Sequence, residues 1–150
     1  MEKEEIIKRL PYSEPFLFVD EITQVSQQGI AGNYKFREDA YFYQGHFVDH
    51  PVTPGVILTE CMAQIGLVSL GIYLLASKIG NLEQKSGVAL TSTDMQFYIP
   101  VYPGETVFVN STLEYFRFNK LKCSVKLHNE NEKLVCSGII SGMLIPDHER

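Results

Sequence analysis

Residues Val56–Ser77 read VILTECMAQIGLVSLGIYLLAS, and the only charge among those 22 positions is Glu60. An apolar run of that length can cross a bilayer as a helix, so an integral-membrane reading has to be weighed first. The polar groups oppose it. Glu60 stands one turn in, with Thr59, Gln64 and Ser69 nearby, and an ionised carboxylate inside lipid costs several kcal/mol. The flanks oppose it too, because Pro54 and Gly55 precede the run and only Lys78 follows, with no cluster of positive charge to set an orientation. A buried helix of a soluble protein fits better, and a helix apolar almost all round must be covered on nearly every side.

Working outward, Thr53 supplies an N-cap and Pro54 a first-turn proline, while Gly80 and Asn81 end the helix. At the front of the chain, Met1–Leu10 carries Glu2, Lys3, Glu4, Glu5, Lys8 and Arg9, which predicts a short charged helix stopped by Pro11 and excludes the apolar stretch of a signal peptide. Phe16–Val25 reads as a strand, Gln27–Gly29 as a turn and Ile30–Phe36 as a second strand; Tyr41–Val52 is too rich in Gly, Pro and His for regular structure. Everything after Lys85 reads as strand. Between Leu121 and His128 the alternation is clean: Leu121, Cys123, Val125 and Leu127 fall on one side, Lys122, Ser124, Lys126 and His128 on the other. Asn129–Lys133 is a polar hairpin turn, and Leu134–Ile145 returns as the last strand. Two strands, one long helix and a run of antiparallel strands make an α+β pattern in a single domain over residues 1–150, with no repeat, low-complexity tract or linker. One curved sheet cannot cover such a helix alone, so a second copy of the chain is expected to complete the burial.

Composition narrows the function classes. The chain has 150 residues, 45% hydrophobic and 21% charged, with 13 Lys and Arg against 18 Asp and Glu for a net charge of -5. That balance argues against a nucleic-acid groove or an anionic membrane face. Cys61, Cys123 and Cys136 are an odd number without CxxC spacing, which excludes a disulfide framework and a cysteine zinc site and fits a reducing, cytoplasmic compartment.

The run Tyr43-Gln44-Gly45-His46-Phe47-Val48-Asp49-His50-Pro51-Val52-Thr53-Pro54-Gly55-Val56 leads straight into the helix, with Glu60 and Gln64 one turn apart on it. Gly55 falls in the first turn, where backbone N–H groups have no partner within the helix and the dipole adds positive charge, so it can hold a carbonyl oxygen as it becomes an oxyanion. Burial of Glu60 among apolar residues raises a carboxyl pKa and suits it to donate a proton. The spacing of four puts Gln64 on the same face, close enough to orient that carboxyl. His46, of a type whose reference pKa is about 6.5, is the natural partner base. Against these stand bland readings: a histidine in a Gly/Pro loop is commonly structural, and His50 serves the loop backbone. His128 and His148 face solvent, Cys61 points about 100° away from Glu60 as core packing, and Phe108, Tyr115, Phe116 and Phe118 are strand packing.

At this point the residues resemble a known family, the β-hydroxyacyl-acyl-carrier-protein dehydratases, which have the hot-dog fold. Leu10–Asp20 is similar to the family's opening segment. Gly45-His46-Phe47, then His50-Pro51-Val52 and Pro54-Gly55-Val56, resemble its signature, and Ile99–Glu105 its strand-joining turn. The resemblance implies a long central helix wrapped by a curved antiparallel sheet. It also implies a homodimer with one continuous sheet, open to further grouping as a trimer of dimers, whose two sites each take the counterpart of His46 from one subunit and of Glu60 from the other. It further implies that Gly55 N–H holds the thioester carbonyl, that Val52 C=O orients the imidazole and that Gln64 supports the carboxyl. The substrate implied is a (3R)-hydroxyacyl thioester on an acyl carrier protein, dehydrated without any metal or organic cofactor. Related enzymes that also isomerise the double bond look similar but carry Asp at the Glu60 position, so Glu favours dehydration alone.

Some positions depart from that family. Val48-Asp49 stands for a Pro-Gly pair, Thr53 for a Met and Tyr12-Ser13 for His-Arg, and Gln96-Phe97-Tyr98-Ile99 lacks a basic pair. Carrier proteins are acidic, so Arg117, Lys120 and Lys122 are the cations expected to dock one. Two rivals remain: a hot-dog thioesterase, which does not need His46, and a non-catalytic acyl-binding subunit.

Overall fold

A computed structural model describes residues 1–79 and 87–145. A short helix α1 (Lys3–Lys8) precedes the hairpin of β1 (Glu21–Ser26) and β2 (Gly29–Lys35), and a 3-10 turn at Tyr41–Gln44 follows. The central helix starts as α2 (Gly55–Ala63), widens into a π-turn (Gln64–Val68) and continues as α3 (Ser69–Ile79). Four strands complete the chain: β3 (Gly87–Phe97), β4 (Thr106–Arg117), β5 (Lys120–His128) and β6 (Leu134–Ile145). They form one antiparallel sheet in the order β1-β2-β4-β5-β6-β3, so β1 and β3 are its edges.

The sheet wraps the helix. The stretch Gly55–Lys78 has a mean hydropathy of 1.7 over its most apolar window, and 78% of that window is buried inside the fold, which accounts for its apolar character without a bilayer. Ile65, Leu67, Val68 and Leu70 pack among Val107, Val109, Leu121, Cys123, Val125 and Leu127, all within 1% of full burial. Each large aliphatic side chain removed from water there contributes roughly 1.5–3 kcal/mol. The alternation expected for Leu121–His128 holds at every apolar position, since Leu121, Cys123, Val125 and Leu127 are buried and the residues between them are not.

Several expectations need correction. The stretch Phe16–Val25 is strand only from Glu21, because the residues before it break the two-residue period: Phe18 and Val19 are both buried, and the backbone there bonds a helix side chain rather than a neighbouring strand. Thr53 does not cap the helix. Pro54 occupies the cap position with no side-chain bond, while the Thr53 hydroxyl pairs with Tyr43. The aromatic residues taken as strand packing divide: Tyr115 and Phe116 are half-buried, but Phe108 is 41% exposed, and Phe118, at the turn joining β4 and β5 with φ 52°, is 92% exposed. The helix stop at Gly80 and Asn81, the onset of strand after Lys85, and His148 lie outside the described residues.

The π-turn was not foreseen. Two buried serines bond carbonyls of the widened turn: Ser69 donates both its backbone N–H and its Oγ to Gln64 C=O, the latter at 2.7 Å, and Ser111 Oγ donates to Gly66 C=O at 2.8 Å. The turn begins at Gln64, one of the predicted site residues.

Candidate active site

The irregular loop before the helix is a tight hydrogen-bonded unit. Val52 N–H donates to His46 C=O at 2.9 Å, and inside that pair Phe47 and His50 exchange backbone bonds of 2.9 Å each. Asp49 completes the turn with φ 59°, a left-handed conformation that Asp tolerates better than most side chains. His50 is exposed and takes part through its backbone. The half-buried imidazole of His46 bonds Val52 C=O through Nδ1 at 2.9 Å and stacks on Phe47 with ring centroids 4.1 Å apart. A carbonyl can only accept, so Nδ1 carries the proton and Nε2 keeps its lone pair. That leaves Nε2 as the basic nitrogen of the neutral ring.

Two residues on from Val52 the helix begins. Its first backbone bonds are from Ile57 and Leu58 N–H to Pro54 C=O, at 2.9 and 3.1 Å. The N–H groups of Gly55 and Val56 therefore lead the helix with no acceptor among the described residues, where the dipole is most positive. Gly55 is required by a close approach: a Cβ there would lie 3.2 Å from the Phe97 ring of β3. Phe97 thus forms a wall beside the free N–H.

One turn further, half-buried Glu60 accepts a bond from Gln64 Nε2 at 2.9 Å. Burial pushes its carboxyl above the usual carboxylate value, and the Gln64 bond offsets only part of that. Gln64 itself is fully buried and fully used. Its Nε2 also donates to Phe16 C=O at 2.9 Å, and its Oε1 accepts from Phe18 N–H at 2.8 Å. The amide therefore ties the opening segment to the face of the helix that carries Glu60, which is why Phe16–Val19 is not strand.

Residues that sequence reasoning passed over lie beside these. Tyr12 is packed against the core, its phenol pushed up to about 12, first by burial and then by the negative charge of Glu60. Its signal was present as a departure in the opening segment. Cys61, next in sequence to Glu60, is fully buried, donates its thiol to Phe18 C=O at 3.4 Å and is held well above the ordinary thiol range by burial, so it is packing, as expected. Among the described residues no cluster of His, Cys, Asp and Glu is placed to hold a metal ion. The cations expected to dock a carrier lie away from Gly55 within the same chain. Lys78, at the far end of the helix, sits 4.4 Å over the Phe116 ring, which places Arg117, Lys120 and Lys122 there too. A helix of 24 residues is about 36 Å long, so they stand at its opposite end from Gly55.

The chain thus presents three groups suited to proton transfer beside a carbonyl: a neutral-capable imidazole at His46, leading helix N–H groups at Gly55 and Val56, and a carboxyl at Glu60 that burial pushes up. Comparison with known proteins identifies the family. Residues 10–135 match the family described as FabA-like domain. A protein of Thermus thermophilus named 3-hydroxyacyl-(acyl-carrier-protein) dehydratase FabZ is 35% identical over 135 residues, covering 89% of this chain and 90% of that one. Proteins of the same name from Wolbachia pipientis and Fusobacterium nucleatum are 35% and 30% identical, covering 84% and 83% of this chain and 86% and 84% of their own lengths. Among solved structures, the dehydratase heterocomplex ApeI:P of Xenorhabdus doucetiae superposes with a TM-score of 0.79 over 96% of this chain and 93% of that one, at 12% identity. The thioesterase HI1161 of Haemophilus influenzae gives 0.59 over 83% and 77%, at 18% identity. At those identities the structures attest the hot-dog fold.

Proposed function

This chain belongs to the FabA-like domain family, and from that membership we propose that it dehydrates 3-hydroxyacyl thioesters carried on acyl carrier protein, in fatty-acid or related acyl-chain biosynthesis. The observation that carries the reading is the orientation of His46. Its Nδ1–H is spent on Val52 C=O, which leaves Nε2 as the basic nitrogen of a loop that runs, three residues after Val52, into a helix whose leading N–H groups have no acceptor among the described residues.

In the mechanism, the thioester oxygen rests on Gly55 N–H, where the helix dipole and the Phe97 wall favour the charge that develops on it. Nε2 of His46 takes a proton from C2, the electrons of that C–H bond form the C2–C3 double bond, and the C3–O bond breaks. The departing hydroxyl takes its proton from the Glu60 carboxyl and leaves as water. His46 ends protonated and Glu60 ionised, and exchange with solvent restores both after the enoyl thioester leaves. The raised carboxyl of Glu60 keeps the acid form available, and Gln64 fixes its direction. All steps use side chains and an already activated thioester, so the reading includes no metal or organic cofactor.

The site works as a pair of chains. Edge strand β3 leaves its outer side unpaired among the described residues, and Leu90 and Phe97 on it are 45% and 49% exposed. Around the helix start, Phe47, Val48 and Val56 are 55%, 76% and 77% exposed. A second copy pairing along β3 would continue the sheet, cover these residues and bring the partner's carboxyl to His46. The whole span 1–150 then acts as one catalytic domain of a soluble, cytoplasmic homodimer. Incubation with a crotonyl thioester tests the reading. Loss of enoyl absorbance, by the reverse hydration, is the expected result; release of free thiol would make the protein a thioesterase, and binding without turnover an acyl-binding subunit.

A further inference from the structure

Thr53 lies between the two halves of the site. The residue before it, Val52, holds His46; the second residue after it, Gly55, offers the leading N–H of the helix. Whatever locates Thr53 therefore sets the distance from the base to the carbonyl-binding donor. Two bonds locate it. Thr53 N–H donates to the C=O of fully buried Val101 at 2.8 Å, and Thr53 Oγ1 lies 2.6 Å from the Tyr43 hydroxyl, one donating to the other. Both side chains are buried, with 4% and 6% exposure, so water cannot substitute for either hydroxyl. Tyr43 is anchored in turn by the 3-10 turn Tyr41–Gln44, through its N–H to Ala40 C=O, and by the Phe42 ring 4.6 Å from its own.

Residues 43 and 53 are the two stems of the loop that presents His46. We propose that the Tyr43–Thr53 hydroxyl pair is a clasp that closes this loop at its base, and that both are positioning residues holding Val52 C=O on Nδ1 of His46 and the loop in register with Gly55 N–H. The observation is on neither reacting group. Neither hydroxyl faces substrate; each acts through the backbone between them. A threonine that only filled space would be replaced without loss by valine, which has the same shape. A clasp would not survive that change, because the Tyr43 hydroxyl would remain buried without its partner. Displacement of about 1 Å at the reacting groups is enough to cost about 10²-fold in rate.

The inference rests on the dehydratase reading for its kinetic arm only, and a second arm is independent of activity. The variants are Thr53→Val, Tyr43→Phe, the double variant and Thr53→Ser. The readouts are kcat and KM for a 3-hydroxyacyl thioester, the melting temperature, and the His46 tautomer from long-range 1H–15N spectra, with the His46 signals identified by their loss in His46→Ala. Thr53→Val and Tyr43→Phe should each lower kcat about tenfold or more with KM within about twofold, and the double variant should be no worse than either single. Both should admix the Nε2–H tautomer to the Nδ1–H form of the parent. Thr53→Ser should restore most of kcat and the single tautomer. A Thr53→Val protein that folds with unchanged kcat and one tautomer would overturn the clasp. So would a loss of kcat with the tautomer untouched, or one that Thr53→Ser does not rescue. If the parent dehydrates nothing, the function reading fails while the tautomer still decides the clasp; if Thr53→Val folds poorly, Tyr43→Phe carries both readouts.

Discussion

The two ends of the central helix do different work. From Ser69 onward it is packing: Leu70, Ile72, Leu74 and Ala76 are buried, and this part of the helix lies against α1 and β2. From Gly55 to Gln64 it carries the candidate site: Gly55, Thr59 and Glu60 stay half-exposed, the leading N–H groups have no acceptor among the described residues, and Cys61 and Gln64 bond an opening segment that has no regular structure. The π-turn between them is the join. One extra residue in the turn rotates one end against the other, so each can face what it needs. The same apolar composition therefore serves stability at one end and pKa tuning at the other.

The largest effect that can test this division is at the chemical end. His46→Ala and Glu60→Gln should each lower kcat by about 10³-fold or more while leaving the fold intact, since each removes a proton-transfer group from a site that packing does not depend on. Far-UV circular dichroism beside steady-state kinetics checks it. The reverse is expected at the other end: Leu70→Ala should destabilise by about 2–5 kcal/mol in denaturant titrations, with kcat of the remaining folded protein near the parent's. Gln64→Leu should blur the boundary. It strands Phe16 C=O and Phe18 N–H as well as freeing Glu60, so both stability, by about 1–3 kcal/mol, and kcat should fall. The next effect is one of sign. Burial favours the neutral form of Glu60, so its ionisation weakens the fold as pH rises through the raised value. Glu60→Gln should match the parent's stability below the ordinary carboxylate range and exceed it at about pH 8, a small difference readable as a change in melting temperature. Smallest is Asp49→Gly, which relieves the left-handed backbone at φ 59° and should change stability by less than about 1 kcal/mol either way.

How much was legible follows the same division. The buried end and the strands β4 to β6 announce themselves by period, because burial on one face of a strand leaves an alternating record. The candidates His46, Gly55, Glu60 and Gln64 stand out by type and spacing, and the bonds of His46 to Val52 and of Gln64 to Glu60 are those expected of them. What sequence alone missed is what tertiary partners decide. Phe16–Val19 has strand composition, but a helix amide takes its backbone bonds. Thr53 has the chemistry of an N-cap, but a tyrosine ten residues earlier takes its hydroxyl. Phe118 reads as core by hydrophobicity and is spent on a two-residue turn.

The most direct test of the central claim, that His46 and Glu60 of two chains together dehydrate the substrate, is to mix two dead proteins. His46→Ala and Glu60→Gln are combined in equal amounts, subunit exchange is confirmed by native mass spectrometry, and turnover of a 3-hydroxyacyl thioester is measured. Random exchange makes half the dimers mixed, each with one intact and one doubly damaged site, so activity should return to about a quarter of the parent's. Proven mixed dimers without any recovered dehydration would contradict the account.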